Sequence, residues 1–191
     1  MDQVWDEQGN VIPVTVINAG PVIVTQVKNK EKDGYEAFQV GYDNTAKHIT
    51  KQLAGHLKDL GKFRHIKEFK KIGDENFGVG DSIDVSAFAK GDKVTVTGWE
   101  IGRGFQGVVK RHGFHGGPKT HGQKNRLRHP GSNGPTAPQR VVKGKKMAGR
   151  MGNERVTLRK VSVVGIDKEN NVLMLKGPVP GNARNILLIQ K

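Results

Sequence analysis

The sequence predicts a mainly β protein: a small barrel or sandwich with one helix and a long basic, irregular insertion. Three observations indicate this class. Short β-branched runs are separated by Gly, Pro, Asn and Asp along both ends of the chain. One segment has apolar residues at helical spacing. A stretch of 53 residues between Glu100 and Glu154 contains no acidic side chain and is flanked by predicted strands.

The first third of the chain predicts three strands and the helix. Residues 11–17 and 22–28 are β-branched runs on either side of the turn sequence Asn-Ala-Gly-Pro at 18–21. Residues 35–42 alternate well enough for a third strand. The helix is expected over 45–60, where Ile49, Leu53, Leu57 and Leu60 share one face, with Asn44 as its N-cap.

The remaining predicted strands flank the acid-free stretch. Residues 63–71 repeat a basic and aromatic pattern, 83–88 are short and extended, and 93–98 alternate as a strand. Further strands are expected at 155–166, 171–176 and 186–190. The predicted domains are therefore a globular part formed by 1–98 and 154–191, with a helical excursion at about 45–71, and an extended basic arm at 99–153.

Composition excludes several classes of protein. The 191 residues include no cysteine, which rules out disulfides, thiolate catalysis and cysteine-ligated metal sites. No apolar run reaches the roughly 18 to 20 residues that span a bilayer, and the first residues lack the pattern of a signal peptide. We therefore expect a soluble cytoplasmic protein with no membrane partner and no small-molecule substrate.

The net charge of +14 is concentrated in one part of the chain. Residues 1–98 carry 13 basic and 14 acidic groups, whereas 99–160 carry 15 and 2. The 53 acid-free residues hold 12 Lys or Arg, 12 Gly and four His. A segment that repels itself and has little apolar surface to bury needs a polyanion, and nucleic acid is the first candidate. Running out and back, its tip would reach at most about 60 to 80 Å.

Two alternatives to nucleic-acid binding arise from motifs in this stretch. Gly102–Gly107 matches G-x-G-x-x-G, which favours a nucleotide-binding enzyme, but we expect no helix after it, and no acidic residue follows to hold a ribose. The four histidines suggest a metal site, but the surrounding Lys and Arg would oppose a cation. We predict no catalytic residue, no metal and no cofactor. A free RNA-binding translation factor is the other competing class.

The candidate site is a set of cations, histidines and glycines in the arm. The side chains expected to bind RNA are Arg103, Lys110, Arg111, His112, His115, Lys119, His121, Lys124, Arg126, Arg128, His129, Arg140, Lys143, Lys145, Lys146, Arg150 and Arg155. The glycines expected to allow close approach to phosphates are Gly102, Gly104, Gly107, Gly131, Gly144 and Gly149. Lys and Arg neutralise phosphates, and histidine stacks on and hydrogen-bonds to RNA.

Nine short motifs follow one another in order along almost the whole chain. They are Ile-Pro-Val-Thr-Val-Ile at 12–17, Val-Thr-Gln-Val-Lys at 24–28, Asp-Gly-Tyr at 33–35, Gly-Phe-Gln-Gly-Val-Val-Lys-Arg at 104–111, Thr-His-Gly at 120–122, Pro-Gly-Ser at 130–132, Lys-Gly-Lys-Lys-Met-Ala-Gly at 143–149, Met-Gly-Asn-Glu-Arg-Val-Thr at 151–157 and Lys-Gly-Pro-Val-Pro-Gly at 176–181. Together they resemble the universal large-subunit ribosomal protein L-three family in its bacterial form. Residues 47–71 match only in outline.

The resemblance implies a translation-protein-like β-barrel and a structural role in the large ribosomal subunit, without enzymatic activity. It implies direct binding of large-subunit (23S-type) rRNA, an early role in subunit assembly, contacts with neighbouring ribosomal proteins and an arm that approaches the peptidyl transferase centre. Family members usually begin with a further strand ahead of the segment that Met1–Gln3 resembles, so we expect this chain to start late. Residues 134–140 match the arm tip one residue short, so we predict no glutamine methylation there.

Overall fold

A computed structural model describes residues 1–71 and 77–191, and within them the protein is mainly β, as predicted. The strands are β1 (Asp2–Trp5), β2 (Val11–Asn18), β3 (Val22–Lys28), β4 (Ala37–Tyr42), β5 (His65–Lys70), β6 (Ser82–Ile83), β7 (Lys93–Trp99), β8 (Phe105–Gln106), β9 (Gly149–Arg150), β10 (Arg155–Asp167), β11 (Val172–Lys176) and β12 (Leu188–Gln190). The α-helices are α1 (Lys30–Asp33), α2 (Lys51–Leu57) and α3 (Val108–His112), and Lys58–Leu60 and Val85–Ala87 form 3-10 turns.

The strands assemble into three sheets. One has six strands in the order β1-β2-β11-β10-β7-β12, a second has four in the order β5-β4-β3-β6, and β8 pairs with β9 alone. Every register that is resolved is antiparallel, for example Leu173↔Ile17 between β11 and β2 and Phe38↔Phe69 between β4 and β5. Within the described ranges neither large sheet closes into a barrel. The mainly β class is confirmed, and the barrel is not.

The chain divides into two compact units. The first contains 1–95, 159–179 and 190–191, and the second contains 96–158 and 180–189. The side chains of the first unit that are almost completely buried are Val14, Val24, Leu57, Val85, Val94, Val163, Leu173 and Leu175. Six of these eight lie on strands, and burial of each such side chain contributes about 1.5 to 3 kcal/mol. The predicted strands contain most of this core.

A smaller cluster covers the four-stranded sheet of the first unit. Val24, Phe38 and Val40 are buried, and Phe77 meets Phe38 edge-on with 5.3 Å between the ring centroids. Strands β3 and β4 contribute this cluster because their register places Val24 opposite Val40. The short strand β6, predicted as an extended stretch, completes the sheet by pairing Ile83 with Val22.

The predicted helix at 45–60 is too long at its start. The helix α2 begins at Lys51, and its N-cap is Thr50, whose hydroxyl accepts a hydrogen bond from the Leu53 N–H at 3.3 Å. Asn44, the expected cap, instead accepts a hydrogen bond from the Lys62 N–H at 2.6 Å. The described residues also contain three short α-helices rather than one. Tertiary contacts therefore override the helical spacing of residues 45–49.

Candidate nucleic-acid interface

The two ends of the acid-free stretch are tied to each other by backbone hydrogen bonds in the second unit. The Glu100 N–H donates to the Glu154 carbonyl at 3.0 Å, and the Arg103 N–H donates to the Met151 carbonyl at 2.9 Å. The Met151 N–H returns a hydrogen bond to the Gly104 carbonyl at 3.0 Å. The pairing of β8 with β9 extends this ladder. We call residues 99–106 and 149–154 the base of the arm.

Close backbone packing at the base requires a glycine that the sequence did not single out. Gly152 is buried at φ +77°, and a Cβ there would collide with the Ile101 carbonyl oxygen and lie 3.1 Å from Gly102 Cα. Both the left-handed conformation and the absence of a side chain are needed, which glycine alone supplies without strain. Gly152 therefore sets the distance between the two strands of the base.

A short helix follows the glycine loop, where none was expected. Helix α3 begins after Gly107 and ends after five residues at Gly113, whose φ is +72°. Its anchor is Val108, which is 3% exposed. The prediction that no helix follows the loop is wrong, because one turn needs little intrinsic propensity when a buried valine holds it. The helix is still far shorter than that of a dinucleotide-binding unit.

Two predicted RNA-binding side chains on α3 are used inside the protein. Arg111 Nη1 donates to the Met147 carbonyl at 2.8 Å, and His112 Nε2 lies 3.0 Å from the same oxygen. A Cβ on Gly149 would lie 2.7 Å from Arg111 Nη1, so the guanidinium packs across the returning chain. We call Arg111, His112 and Met147 the clamp. It joins the outgoing and returning parts of the arm one turn beyond the base.

Beyond the clamp the arm packs closely against itself at Gly116 and Gly117. The Gly117 N–H donates to the Leu127 carbonyl at 3.0 Å, and a Cβ on Gly116 would collide with that oxygen. Of the six glycines expected to approach phosphates, Gly102 and Gly149 lie near protein atoms. The other four have nothing within 4 Å of an added Cβ: Gly104, Gly107, Gly131 and Gly144. Those four leave open backbone for a partner.

Most of the candidate side chains face solvent. Every residue from 124 to 146 is exposed, and across 101–150, all of which the structure describes, Val108 is the one buried residue. Among the 17 side chains predicted to bind RNA, only Arg111 and His112 are half-buried, and the other 15 are exposed. The structure therefore leaves these 15 side chains accessible to a large ligand.

The exposed cations lack carboxylate partners. In the part of the chain that the structure describes, ion pairs join Lys28 to Glu68, Arg64 to Asp43 and Lys191 to Asp92, and none involves residues 101–153. The positive charge of the arm is thus not compensated by any carboxylate of the described residues. Such a surface favours a polyanion, whose bound counterions are released on binding.

The described residues give little support for a metal site or a membrane-spanning helix. No group of three or more His, Cys, Asp or Glu side chains within 1–71 and 77–191 could hold a metal ion. His115, His121 and His129 are exposed, and His112 belongs to the clamp. Among the described helices, none is long and apolar enough to cross a membrane.

Comparison with known proteins points to one family. The family model described as Ribosomal protein L3 matches residues 72–172. The large ribosomal subunit protein uL3 of Herpetosiphon aurantiacus is 49% identical, with 100% of this chain and 92% of that protein covered. The uL3 protein of Dehalococcoides mccartyi is 50% identical (100% and 93%), and the uL3c protein of Guillardia theta is 48% identical (100% and 95%).

Proposed function

The chain belongs to the ribosomal protein L3 family, and from this premise we propose that it is a structural constituent of the large ribosomal subunit that binds large-subunit rRNA directly through the arm at 99–153. Membership of the family makes it a ribosomal protein of the large subunit. Binding of rRNA by named residues is the part that needs a physical argument and a test.

One observation carries the proposal. The arm presents Lys and Arg that have no carboxylate partner among residues 1–71 and 77–191, over a run, 124–146, in which every residue is exposed. Contacts within the protein stabilise such a surface little, because it buries almost no apolar area. Binding to phosphates is strongly favourable for it, since each neutralised phosphate releases condensed counterions.

The base and the clamp explain how the arm would bind. The root of the arm is held in place by two sets of contacts. They are the hydrogen bonds at Arg103 and Met151 and the two contacts to the Met147 carbonyl. Fixing the root of a long segment lowers the entropy that is lost when its far part is ordered by a partner. The open glycines let the chain pass close to packed phosphates, and the exposed histidines stack on unpaired bases.

We propose the finer roles on the basis of the family. The far part of the arm approaches the peptidyl transferase centre, the protein joins the subunit early in assembly, and the globular part contacts neighbouring ribosomal proteins. We also propose that the protein has no enzymatic activity of its own, because its charged groups neutralise a ligand rather than transform one.

The salt dependence of binding tests rRNA recognition. The full chain is titrated with an in vitro transcript of the large-subunit rRNA at several salt concentrations. If six of the 12 arm cations contact phosphate, log affinity falls against log salt with a slope of about −4 to −5. The triple variant Lys143→Gln/Lys145→Gln/Lys146→Gln, which removes three of these cations, lowers the magnitude of the slope by about 2 to 2.7. An affinity that does not depend on salt contradicts the proposal.

A fractionation experiment separates a subunit constituent from a free translation factor. Ribosomes from cells that express the chain are washed in high salt, and the large subunit is sedimented. A protein whose arm is enclosed by RNA stays with the subunit, because dissociation requires the arm to be withdrawn. Complete release into the supernatant would favour a factor that exchanges on and off ribosomes.

A further inference from the structure

The near-neutral first part of the chain conceals a separation of charge. Residues 1–98 carry 13 basic and 14 acidic groups, but residues 45–71 alone hold eight Lys or Arg against two acidic residues. The rest of 1–98 therefore holds five basic and 12 acidic groups. Positive charge is gathered into one stretch of the first unit, and this stretch lies outside the arm.

A cleft of about 630 Å³ lies within this basic stretch. It is lined by Thr45, Ala46, Lys47, His48, Ile49, Thr50, Leu53, Phe63 and Arg64. Its two walls are joined by hydrogen bonds: the Ala46 N–H donates to the Lys62 carbonyl at 3.2 Å, and the Arg64 N–H donates to the Asp43 carbonyl at 2.9 Å. The Asn44 side chain adds its bond to the Lys62 N–H. The cleft is therefore built by the fold.

The floor of the cleft is apolar. Phe63 is 3% exposed, and its ring lies directly against Gly41, where a Cβ would collide with it. Ile49 and Leu53 are half-buried beside it. Gly41 in β4 thus seats the ring, and the ring gives the floor a fixed position.

The rim of the cleft is cationic. Lys47 and His48 are exposed, and the Arg64 side chain is 67% exposed. Asp43 is the carboxylate at this rim, with the Thr45 hydroxyl at 2.5 Å and Arg64 Nη1 at 3.9 Å. A contact at 3.9 Å to a largely exposed guanidinium is weak and leaves Arg64 able to bind a second anion.

We propose that this cleft is a second RNA contact site of the protein, in which the cationic rim holds a phosphodiester and the apolar floor receives a ribose or a base. The proposal rests on the proposed function, since it takes the same rRNA as the ligand. Two features favour RNA over an acidic protein segment. Exposed Lys62, which precedes the edge strand β5, and exposed Lys70 at the end of that strand extend the run of cations. A mixed apolar and cationic cleft suits an unpaired nucleotide.

The cleft also lies outside the part of the chain that the family model matches. That match begins at residue 72, after the last residue that lines the cleft. RNA binding by the arm, within 72–172, therefore does not account for the cationic rim and apolar floor formed by residues 45–64. The cleft needs a test of its own.

The first test uses two double variants with the same change of charge. Lys47→Gln/Arg64→Gln removes two rim cations, and Lys30→Gln/Lys32→Gln removes two exposed cations on α1, away from the cleft. We expect the first variant to lower the magnitude of the salt slope for the large-subunit rRNA transcript by about 1.4 to 1.8. The second leaves the slope unchanged. All four side chains are exposed, so the urea midpoint of each variant is expected to match wild type.

The outcomes separate this inference from the proposed function. A wild-type slope near zero overturns the proposed function. A steep wild-type slope that the cleft variant and the α1 variant leave equally unchanged overturns the second contact site alone. If an acidic protein segment occupies the cleft, the cleft variant also leaves the slope unchanged, and the inference fails.

A tethered probe supplies an independent measurement. Because the chain has no cysteine, Thr45→Cys creates a single attachment site beside the cleft for an iron–EDTA group that cleaves nearby RNA. We expect cleavage of the bound rRNA transcript at a discrete set of nucleotides from Thr45→Cys. The control, Lys32→Cys, is expected to give no such cleavage. Equal cleavage patterns from both positions would overturn the inference.

Discussion

The core of the first unit and the outer part of the arm differ in burial and in charge. Leu173 and Val24 are completely buried between strands, whereas all residues from 124 to 146 are exposed. The core is stabilised by apolar burial, which the chain supplies alone. The arm has cations that form no ion pair with the carboxylates that the structure describes. The difference shows that one sequence can encode a self-sufficient fold and a segment whose binding energy comes from its partner.

The strongest way to break this comparison is to remove the outer arm. Replacing residues 117–144 by a Gly-Ser linker keeps the base and the clamp. We expect the urea midpoint to stay within experimental error, because no buried residue is lost. The affinity for large-subunit rRNA falls by several orders of magnitude at low salt, as six of the 12 arm cations are lost. An unfolded product would contradict the independence of the two regions.

Paired substitutions of leucine compare the two regions directly. Leu173→Ala leaves a cavity in the core and is expected to lower the free energy of unfolding by about 2 to 5 kcal/mol. Leu127→Ala, at a side chain that is 42% exposed in the arm, is expected to change it by less than about 0.5 kcal/mol. Urea unfolding with a common m-value measures both. Similar losses for the two variants would place Leu127 in a core.

A substitution in the base of the arm is expected to lower the free energy of unfolding by an amount between the losses for Leu127→Ala and Leu173→Ala. Gly152→Ala places a Cβ against the Ile101 carbonyl at positive φ and is expected to cost about 1 to 3 kcal/mol. The matched variant Gly104→Ala has a similar φ but open space around the new Cβ, so it carries only the conformational cost. Hydrogen exchange at the Arg103 and Met151 amides checks this. Equal exchange in both variants would mean that Gly152 does not space the base.

The smallest expected effect is on the pH dependence of stability. The Lys191 ammonium, at 2.7 Å, and the Ala89 N–H hold the pKa of Asp92 below its ordinary value of 3.8. A lowered pKa in the folded state adds stability that is present above pH 3.8 and is lost as the pH falls through the folded value. Asp92→Asn should therefore lower the urea midpoint slightly at pH 6 and not in strong acid.

The control for this pH effect is Glu7→Gln, which removes an exposed carboxylate and changes the charge equally. We expect Glu7→Gln to keep the wild-type profile between pH 3 and 6. The acid-free stretch contains no carboxylate to titrate in this range. A loss of pH dependence in Glu7→Gln as large as that in Asp92→Asn would contradict the assignment to the Lys191 pair.

Local sequence patterns predict the strands of the core but not the contacts that close the arm. The runs that became β2 and β3 are recognisable because β-branched residues alternate between turns. By contrast, β8 and β9 are two residues each, and they exist because Gln106 pairs with Gly149 across 43 positions. No local preference encodes that pairing. The same holds for Asn44, whose amide is taken by Lys62 rather than by a helix.

Side-chain chemistry predicts which residues are charged but not which of them are free to bind. Arg111 and His112 look like their neighbours in the sequence, yet both bind the Met147 carbonyl. The cleft beside Phe63 is hidden in the same way, because a charge count over 1–98 sums to nearly zero. The clamp and the cleft were not predicted from the sequence, because each depends on residues that the fold brings together.

Hydrogen–deuterium exchange of the full chain, free and bound to the large-subunit rRNA transcript, tests most directly whether the partner orders the arm. We predict fast exchange for the amides of 124–146 in the free protein and strong protection in the complex, because all of these residues are exposed in the free protein and RNA would supply most of their contacts. The amides of Val163 and Leu173 are protected in both states. Protection of 124–146 in the free protein, or fast exchange there in the complex, would contradict the account.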